Sequence, residues 1–191
     1  MQNLGLSDST PKTESRLKSL FWPSISSDVD VDYLTTQGFW VCTAIAAMTL
    51  LAAFLARSWA VSFSAFYYFL GAMGVRERSR FAALAMFISY ALAGFVTMML
   101  TRQGFSIIQI LFLALLLANV RAVWLADAWR QTNQPDESPE RMEDTLMDRI
   151  SDKMPQAVWP VGRFVFYVAA CLQVSGLLVA LLMPARLASI R

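Results

Sequence analysis

The chain has 191 residues, of which 57% are hydrophobic and 16% are charged, and its net charge is +2. Soluble domains are typically about 45–50% apolar and about 25% charged, so this composition favours a single membrane-embedded bundle. The small net charge gives no indication of a nucleic-acid partner, because the basic residues are not gathered on one polar domain. The sequence has no histidine, which excludes serine–histidine catalysis, histidine metal sites and haem ligation by histidine.

Residues 1–37 form a polar N-terminal segment. It carries five acidic residues and no early apolar core, so it does not have the pattern of a cleavable signal peptide. Residues 1–15 are predicted to be disordered. Residues 16–22 place leucines and aromatics beside basic residues, which predicts a short helix on the membrane surface. A fold-back of this stretch against the cytoplasmic end of the bundle is an equal alternative.

Alternating carboxylates at Asp28, Asp30 and Asp32 suggest the start of a calcium-binding loop. The pattern then fails, because Tyr33 stands where the loop needs a glycine and Phe39 stands where it needs a glutamate. We therefore expect a solvated, extended linker here.

Five apolar stretches, separated by short connections that contain arginine, dominate the remaining sequence. They occupy residues 38–56, 58–75, 81–100, 105–120 with an amphipathic continuation to 126, and 164–183. A membrane-spanning helix needs about 20 mostly apolar residues, so the sequence predicts an all-α integral membrane protein with a bundle of five transmembrane helices. The second stretch is short and aromatic. The alternative is that this stretch forms a re-entrant or interfacial helix, so that the protein has four transmembrane helices plus this one.

The distribution of basic residues predicts the orientation of the chain. With five spans, 12 lysines and arginines fall on one side of the membrane and 4 on the other, whereas the four-span alternative gives 10 against 6. Cytoplasmic loops are enriched in lysine and arginine, so five spans are favoured, with residues 1–37 inside and residues 184–191 outside. We expect a bacterial inner (plasma) membrane.

Short connections predict that the first four spans form an up-and-down meander. In the third span small residues recur every fourth position, at Ala85, Ser89, Ala93 and Thr97, which predicts a helix-packing face. Gln109 and Gln173 are expected to form hydrogen bonds across helices, because an amide needs partners in a membrane. Cys42 and Cys171 are interpreted as small buried apolar residues.

Residues 127–163 form the largest polar loop. Asp127 and Arg130 are spaced to pair on a continuation of the fourth helix. A short amphipathic cytoplasmic helix is then predicted to begin with Ser138 as its N-cap. It has an apolar stripe (Met142, Leu146, Ile150 and Met154) opposite an acidic stripe (Glu140, Asp144, Asp148 and Asp152). The apolar stripe is expected to rest on the bundle, and docking of a basic partner is the alternative.

The sequence favours a non-enzymatic accessory or scaffold component of a membrane. We expect no catalytic, cofactor-binding or metal-binding residues and no cofactor, because the apolar stretches contain no acidic residue, lysine or histidine. The expected partners are the lipid bilayer and either another membrane protein or a second copy joined through small-residue helix faces. A transporter or channel for a neutral or lipidic solute, using Gln109, Asn119 and Gln173, is the alternative.

Overall fold

The computed structural model describes Ile25 and residues 28–132 and 146–188, and within these ranges it contains five α-helices and no strand. In chain order they are α1 (Asp28–Ala56), α2 (Trp59–Arg76), α3 (Arg80–Thr101), α4 (Ile107–Thr132) and α5 (Leu146–Ala188). All of them except α2 are long and apolar enough to cross a membrane. The predicted all-helical bundle is therefore confirmed.

Tight turns separate the first four helices. Each of the turns after α1, α2 and α3 contains an arginine with a positive φ, namely Arg57, Arg78 and Arg102. Glycine usually occupies this left-handed conformation at a helix end, because it has no Cβ to clash. Ser79 caps the start of α3 by accepting a hydrogen bond from the Ala82 amide at 3.3 Å. These turns reverse the chain within a few residues.

Helices α1 and α2 pack side by side in opposite directions. Val75, near the end of α2, lies against Gly38, near the start of α1. One residue later, Arg76 pairs with Asp32. Because the turn at Arg57 joins the other ends of the two helices, α2 returns along α1 to the end where α1 begins.

The first four helices close into a ring. Besides the neighbours α1–α2, α2–α3 and α3–α4, helix α4 packs against α1. The last contact is made by Leu34 of α1, which is buried with Ala118 and Ala122 of α4. The predicted up-and-down arrangement of four consecutive helices is confirmed in the described residues.

Helix α5 lies outside this ring, in the groove between α2 and α3. A Cβ at Gly74 of α2 would collide with Ala82 of α3 and with the Trp159 ring of α5. About two turns earlier in α2, Tyr67 hydrogen-bonds to Ser89 and stacks on Phe166, which follows Trp159 in α5. The order of these contacts shows that α5 runs antiparallel to α2.

Two expectations from the sequence are corrected. The Asp28–Asp32 stretch is not an extended linker, because α1 begins at Asp28. Its helical conformation places Val31 and Leu34 on one face, and both are buried. Other helices bury this face, so the alternating charges of the local sequence could not predict it.

The second correction concerns the polar loop before the last span. From Leu146 onward this segment is not a separate short helix, because it continues without interruption into α5 through Pro155 and Pro160. Packing of Trp159 against α2 holds the segment in place despite the lost backbone hydrogen bonds. Met154, expected in a docked apolar stripe, is 37% exposed. The predicted surface helix at residues 16–22 and the helix start at Ser138 lie outside the described residues.

Candidate functional site: a polar network at one end of the bundle

The ion-paired side chains of the described residues gather at one end of the bundle, where α1 begins, α2 turns into α3 and the last turns of α4 lie. We call this the polar end. The α2–α3 turn contributes three basic residues, Arg76, Arg78 and Arg80. The helices beside it contribute the carboxylates of Asp32 and Asp127. The opposite charges therefore come from elements distant in sequence but adjacent in the ring.

The first half of this network joins α1 to the α2–α3 turn. Arg76 Nη1 donates to Asp32 Oδ1 at 2.6 Å and to Thr35 Oγ1 at 3.1 Å. Thr35 Oγ1 in turn donates to the backbone oxygen of Asp32 at 3.0 Å. Arg78 Nη2 lies 3.7 Å from the carboxylate oxygen Asp32 Oδ1. Only 10% of the Arg76 side chain and 23% of the Asp32 side chain are exposed, so this pair is largely shielded from solvent.

The second half joins the start of α3 to the end of α4. Arg80 forms an ion pair with Asp127, and its guanidinium carbon lies 5.9 Å from the centre of the Trp124 ring. This distance is within the range of a cation–π interaction. Among the described side chains Arg80 is the partner of Asp127, and the predicted pairing of Asp127 with Arg130 falls on a side chain outside the described ones.

Asn119 is a fully buried polar group near this end. Its side chain is 1% exposed, and Nδ2 donates to the backbone oxygen of Leu34 at 3.0 Å. Gly38 of α1 lies directly against the amide. The described residues provide no hydrogen-bond partner for Asn119 Oδ1. This amide ties α4 to α1 one to two turns below the ion pairs.

A second group of polar contacts lies in the middle of the bundle. Tyr67 Oη lies 2.8 Å from Ser89 Oγ and donates to the backbone oxygen of Ala85 at 3.2 Å. Ser64 donates to Gln173 Oε1 at 3.0 Å, which links α2 to α5. Both contacts satisfy hydroxyl groups within otherwise apolar helix interfaces.

The polar residues that the sequence singled out are separated rather than brought together. Gln173 forms the expected bond across helices. The prediction was wrong for Gln109, which accepts a hydrogen bond from the Ser106 amide at 2.9 Å at the start of its own helix. Asn119 bonds to neither of these regions, because its partner is the backbone oxygen of Leu34 on α1.

The predictions for small residues were correct in part. On α3, Ala85 and Ser89 are buried, whereas Thr97 is exposed, so only the first half of the small-residue stripe is a packing face. Cys42 is buried as expected, but Cys171 is exposed on α5. The reason is that α5 contacts the ring on one side only.

Sequence reasoning missed the pairing of Asp32 with Arg76. The pair could have been predicted from the opposite charges of Asp32 and Arg76 at adjacent ends of two antiparallel helices. That prediction requires α1 to begin before residue 38. The ion pair therefore depends on the same feature that the sequence analysis misjudged.

Chemically, this network can cross-link helices through charge and hydrogen bonds. Among the described residues, no group of three or more cysteines and carboxylates is placed to hold a metal ion. The absence of catalytic and cofactor-binding residues stays a prediction. Comparison with known proteins adds no assignment: the chain matches no family model, no curated protein and no solved structure.

Proposed function

We propose that the chain is a non-enzymatic accessory or scaffold component of a bacterial inner (plasma) membrane. In this proposal five helices cross the bilayer, and the polar end faces the cytoplasm. The protein acts through contacts of its outer helix faces with lipid and with other membrane proteins.

The close packing of the helix interfaces is the observation that carries the proposal. A Cβ at Gly71 would collide with Met86, and one at Gly74 would collide with Trp159. Tyr67 and Phe166 fill the space beside them as two of the largest fully buried side chains. Small residues that allow backbones to approach are typical of membrane interfaces held together by packing. These interfaces support a structural role, in which the outer faces make the functional contacts.

The path of α2 supports five spans rather than four. Its 18 residues are about 27 Å long at 1.5 Å per residue, close to the ~30 Å of the hydrocarbon core. It also returns along α1 from the Arg57 turn to the Asp32 end. A helix with this length and direction is suited to crossing the bilayer.

The separation of Gln109, Asn119 and Gln173 weighs against the transporter alternative. Each amide hydrogen-bonds to a different partner on a different helix or turn, so the three do not line one path. A scaffold needs no such path.

Photocrosslinking in native membranes tests the scaffold proposal. A diazirine side chain would be placed at Val168 or Leu172 on the outer face of α5, and at Leu51 on the outer face of α1, all of which are exposed apolar positions. A scaffold is expected to give a discrete protein adduct from at least one face. Adducts with lipid alone at all three positions, together with solute flux in proteoliposomes, would instead favour transport.

Cysteine labelling tests the orientation. In a Cys42→Ala, Cys171→Ala background, single cysteines at Ser7 and Ser79 are expected to resist a membrane-impermeant thiol reagent in intact cells and to react after lysis. Labelling at Ser7 alone would indicate four spans with an external N-terminus. Labelling at both positions would reverse the proposed orientation.

A further inference from the structure

A groove lies at the end of the bundle opposite the polar end, beside the turn that joins α1 to α2. Its volume is about 520 Å³, and its lining includes Phe54, Leu55, Arg57, Ser58 and Trp59. The three large apolar side chains are exposed, and Trp59 is 90% exposed. The groove therefore combines an apolar wall, an aromatic ring and one guanidinium group.

The described side chains carry charge of only one sign at this end of the bundle. The turns there contribute Arg57 and Arg102. The described acidic side chains belong to Asp30, Asp32, Glu77 and Asp127, all of them at the polar end. Within the described part of the chain no residue pairs with the Arg57 guanidinium. Among the described lining residues, a ligand of the groove would thus meet a positive charge and no carboxylate.

Arg57 adopts a left-handed backbone conformation, as Arg78 and Arg102 do in the other two turns. Its φ of 49° lies in the left-handed region, which glycine adopts at lower cost. An arginine at this position supplies a planar group with several N–H donors, whose geometry matches a phosphate group.

We propose that this groove binds one anionic phospholipid, with its headgroup phosphate on Arg57 and an acyl chain against Phe54 and Leu55. The inference rests on the proposed insertion into a membrane. Trp59 is then placed at the depth of the headgroups, where amphipathic rings are favoured. None of the described carboxylates lies beside the groove, which selects against zwitterionic lipids because their ammonium group would face the Arg57 guanidinium without an acidic partner.

Lipid binding to the purified full-length protein tests the proposal by native mass spectrometry. The probes are phosphatidylglycerol and phosphatidylcholine with identical acyl chains. We expect the first phosphatidylglycerol to bind about tenfold more tightly than the first phosphatidylcholine, because the choline ammonium offsets the phosphate charge that Arg57 attracts. Equal affinities for the two lipids would overturn the proposal.

Two variants at Arg57 and one control locate the site. Arg57→Gln and Arg57→Gly are both expected to abolish the preference. The glycine variant should melt at or above the temperature of the parent, because it relieves the left-handed conformation, so its loss of binding cannot be attributed to unfolding. Arg102→Gln, at the other turn of the same end, should keep the preference. A site in the groove is contradicted if the Arg57 variants still prefer phosphatidylglycerol. It is also contradicted if Arg102→Gln removes the preference to the same extent.

Failure of this inference is distinguishable from failure of the proposed function. A protein that stays in the membrane after an alkaline carbonate wash but shows no lipid preference contradicts only the groove. Release from the membrane by the same wash contradicts the proposed insertion itself.

Discussion

The ion pair between Asp32 and Arg76 is expected to contribute measurably to stability, in contrast to most pairs on a protein surface. Arg76 donates to Asp32 at 2.6 Å, and its side chain is only 10% exposed. A hydrogen bond to a charged group contributes about 1.5–3 kcal/mol. Because 23% of the Asp32 side chain remains in contact with solvent, the coupling between the two residues should lie near the lower limit, at about 1.5 kcal/mol.

The two single variants should differ in cost. Arg78 lies 3.7 Å from the same carboxylate oxygen, so Arg76→Gln leaves Asp32 with a cation nearby. Asp32→Asn removes the carboxylate from both arginines. We therefore expect about 1.5 kcal/mol for Arg76→Gln and about 2.5 kcal/mol for Asp32→Asn. The double variant should cost about 2.5 kcal/mol, less than the sum of the two.

Reversible unfolding in mixed detergent micelles, followed by helical circular dichroism, measures these free energies. Glu77→Gln is the matched control, because Glu77 is an exposed acid in the same turn, and its effect should stay within about 0.5 kcal/mol. Additive effects of Asp32→Asn and Arg76→Gln would refute the reasoning, because they would show that the two side chains do not interact.

Two further predictions concern helix packing and use the same unfolding measurement. Gly74→Ala should cost about 1–3 kcal/mol, because its Cβ would meet both Trp159 and Ala82. Gly176→Ala, with open space around it, should be neutral or stabilising by up to about 1 kcal/mol. Equal effects at the two glycines would contradict the α2–α5 interface. Ser89→Leu should cost about 2–4 kcal/mol, because it overpacks a fully buried position and removes the hydrogen-bond partner of Tyr67. Thr97→Leu, on the exposed part of the small-residue stripe, should change stability by less than about 0.5 kcal/mol. Unchanged stability of Ser89→Leu would place that face toward lipid.

The apolar stretches were sufficient to predict the helices and their order, because length and hydropathy are local properties. The start of α1 was not predictable in the same way. The stretch from Asp28 to Asp32 alternates charged and apolar residues, and only burial of Val31 and Leu34 by the rest of the bundle makes it helical. The ion pair with Arg76 depends on that start, so it was missed as well.

Gln109 shows the opposite case, in which a local signal was present but was not used. Ser106 stands three residues before it, which is the spacing of a capping box. The structure contains both reciprocal bonds of a capping box. The Ser106 backbone N–H donates to Gln109 Oε1, and the Gln109 backbone N–H donates to Ser106 Oγ at 3.2 Å. By contrast, the bond between Ser64 and Gln173 joins helices far apart in sequence, and the sequence indicated only that Gln173 needed a partner.

The position of α5 outside the ring has a consequence for the order of assembly during synthesis. Helices α1–α4 contact one another in a closed cycle, and their chain is complete before α5 leaves the ribosome. The ring can therefore close first and present the groove beside Gly74 as a finished docking surface. Trp159 and Phe166 then arrive with α5 and fill it. We therefore expect biogenesis to separate into ring formation and a later lateral docking step. Phe166→Ala, which removes a side chain that α5 alone contributes, should impair the second step while leaving the first intact.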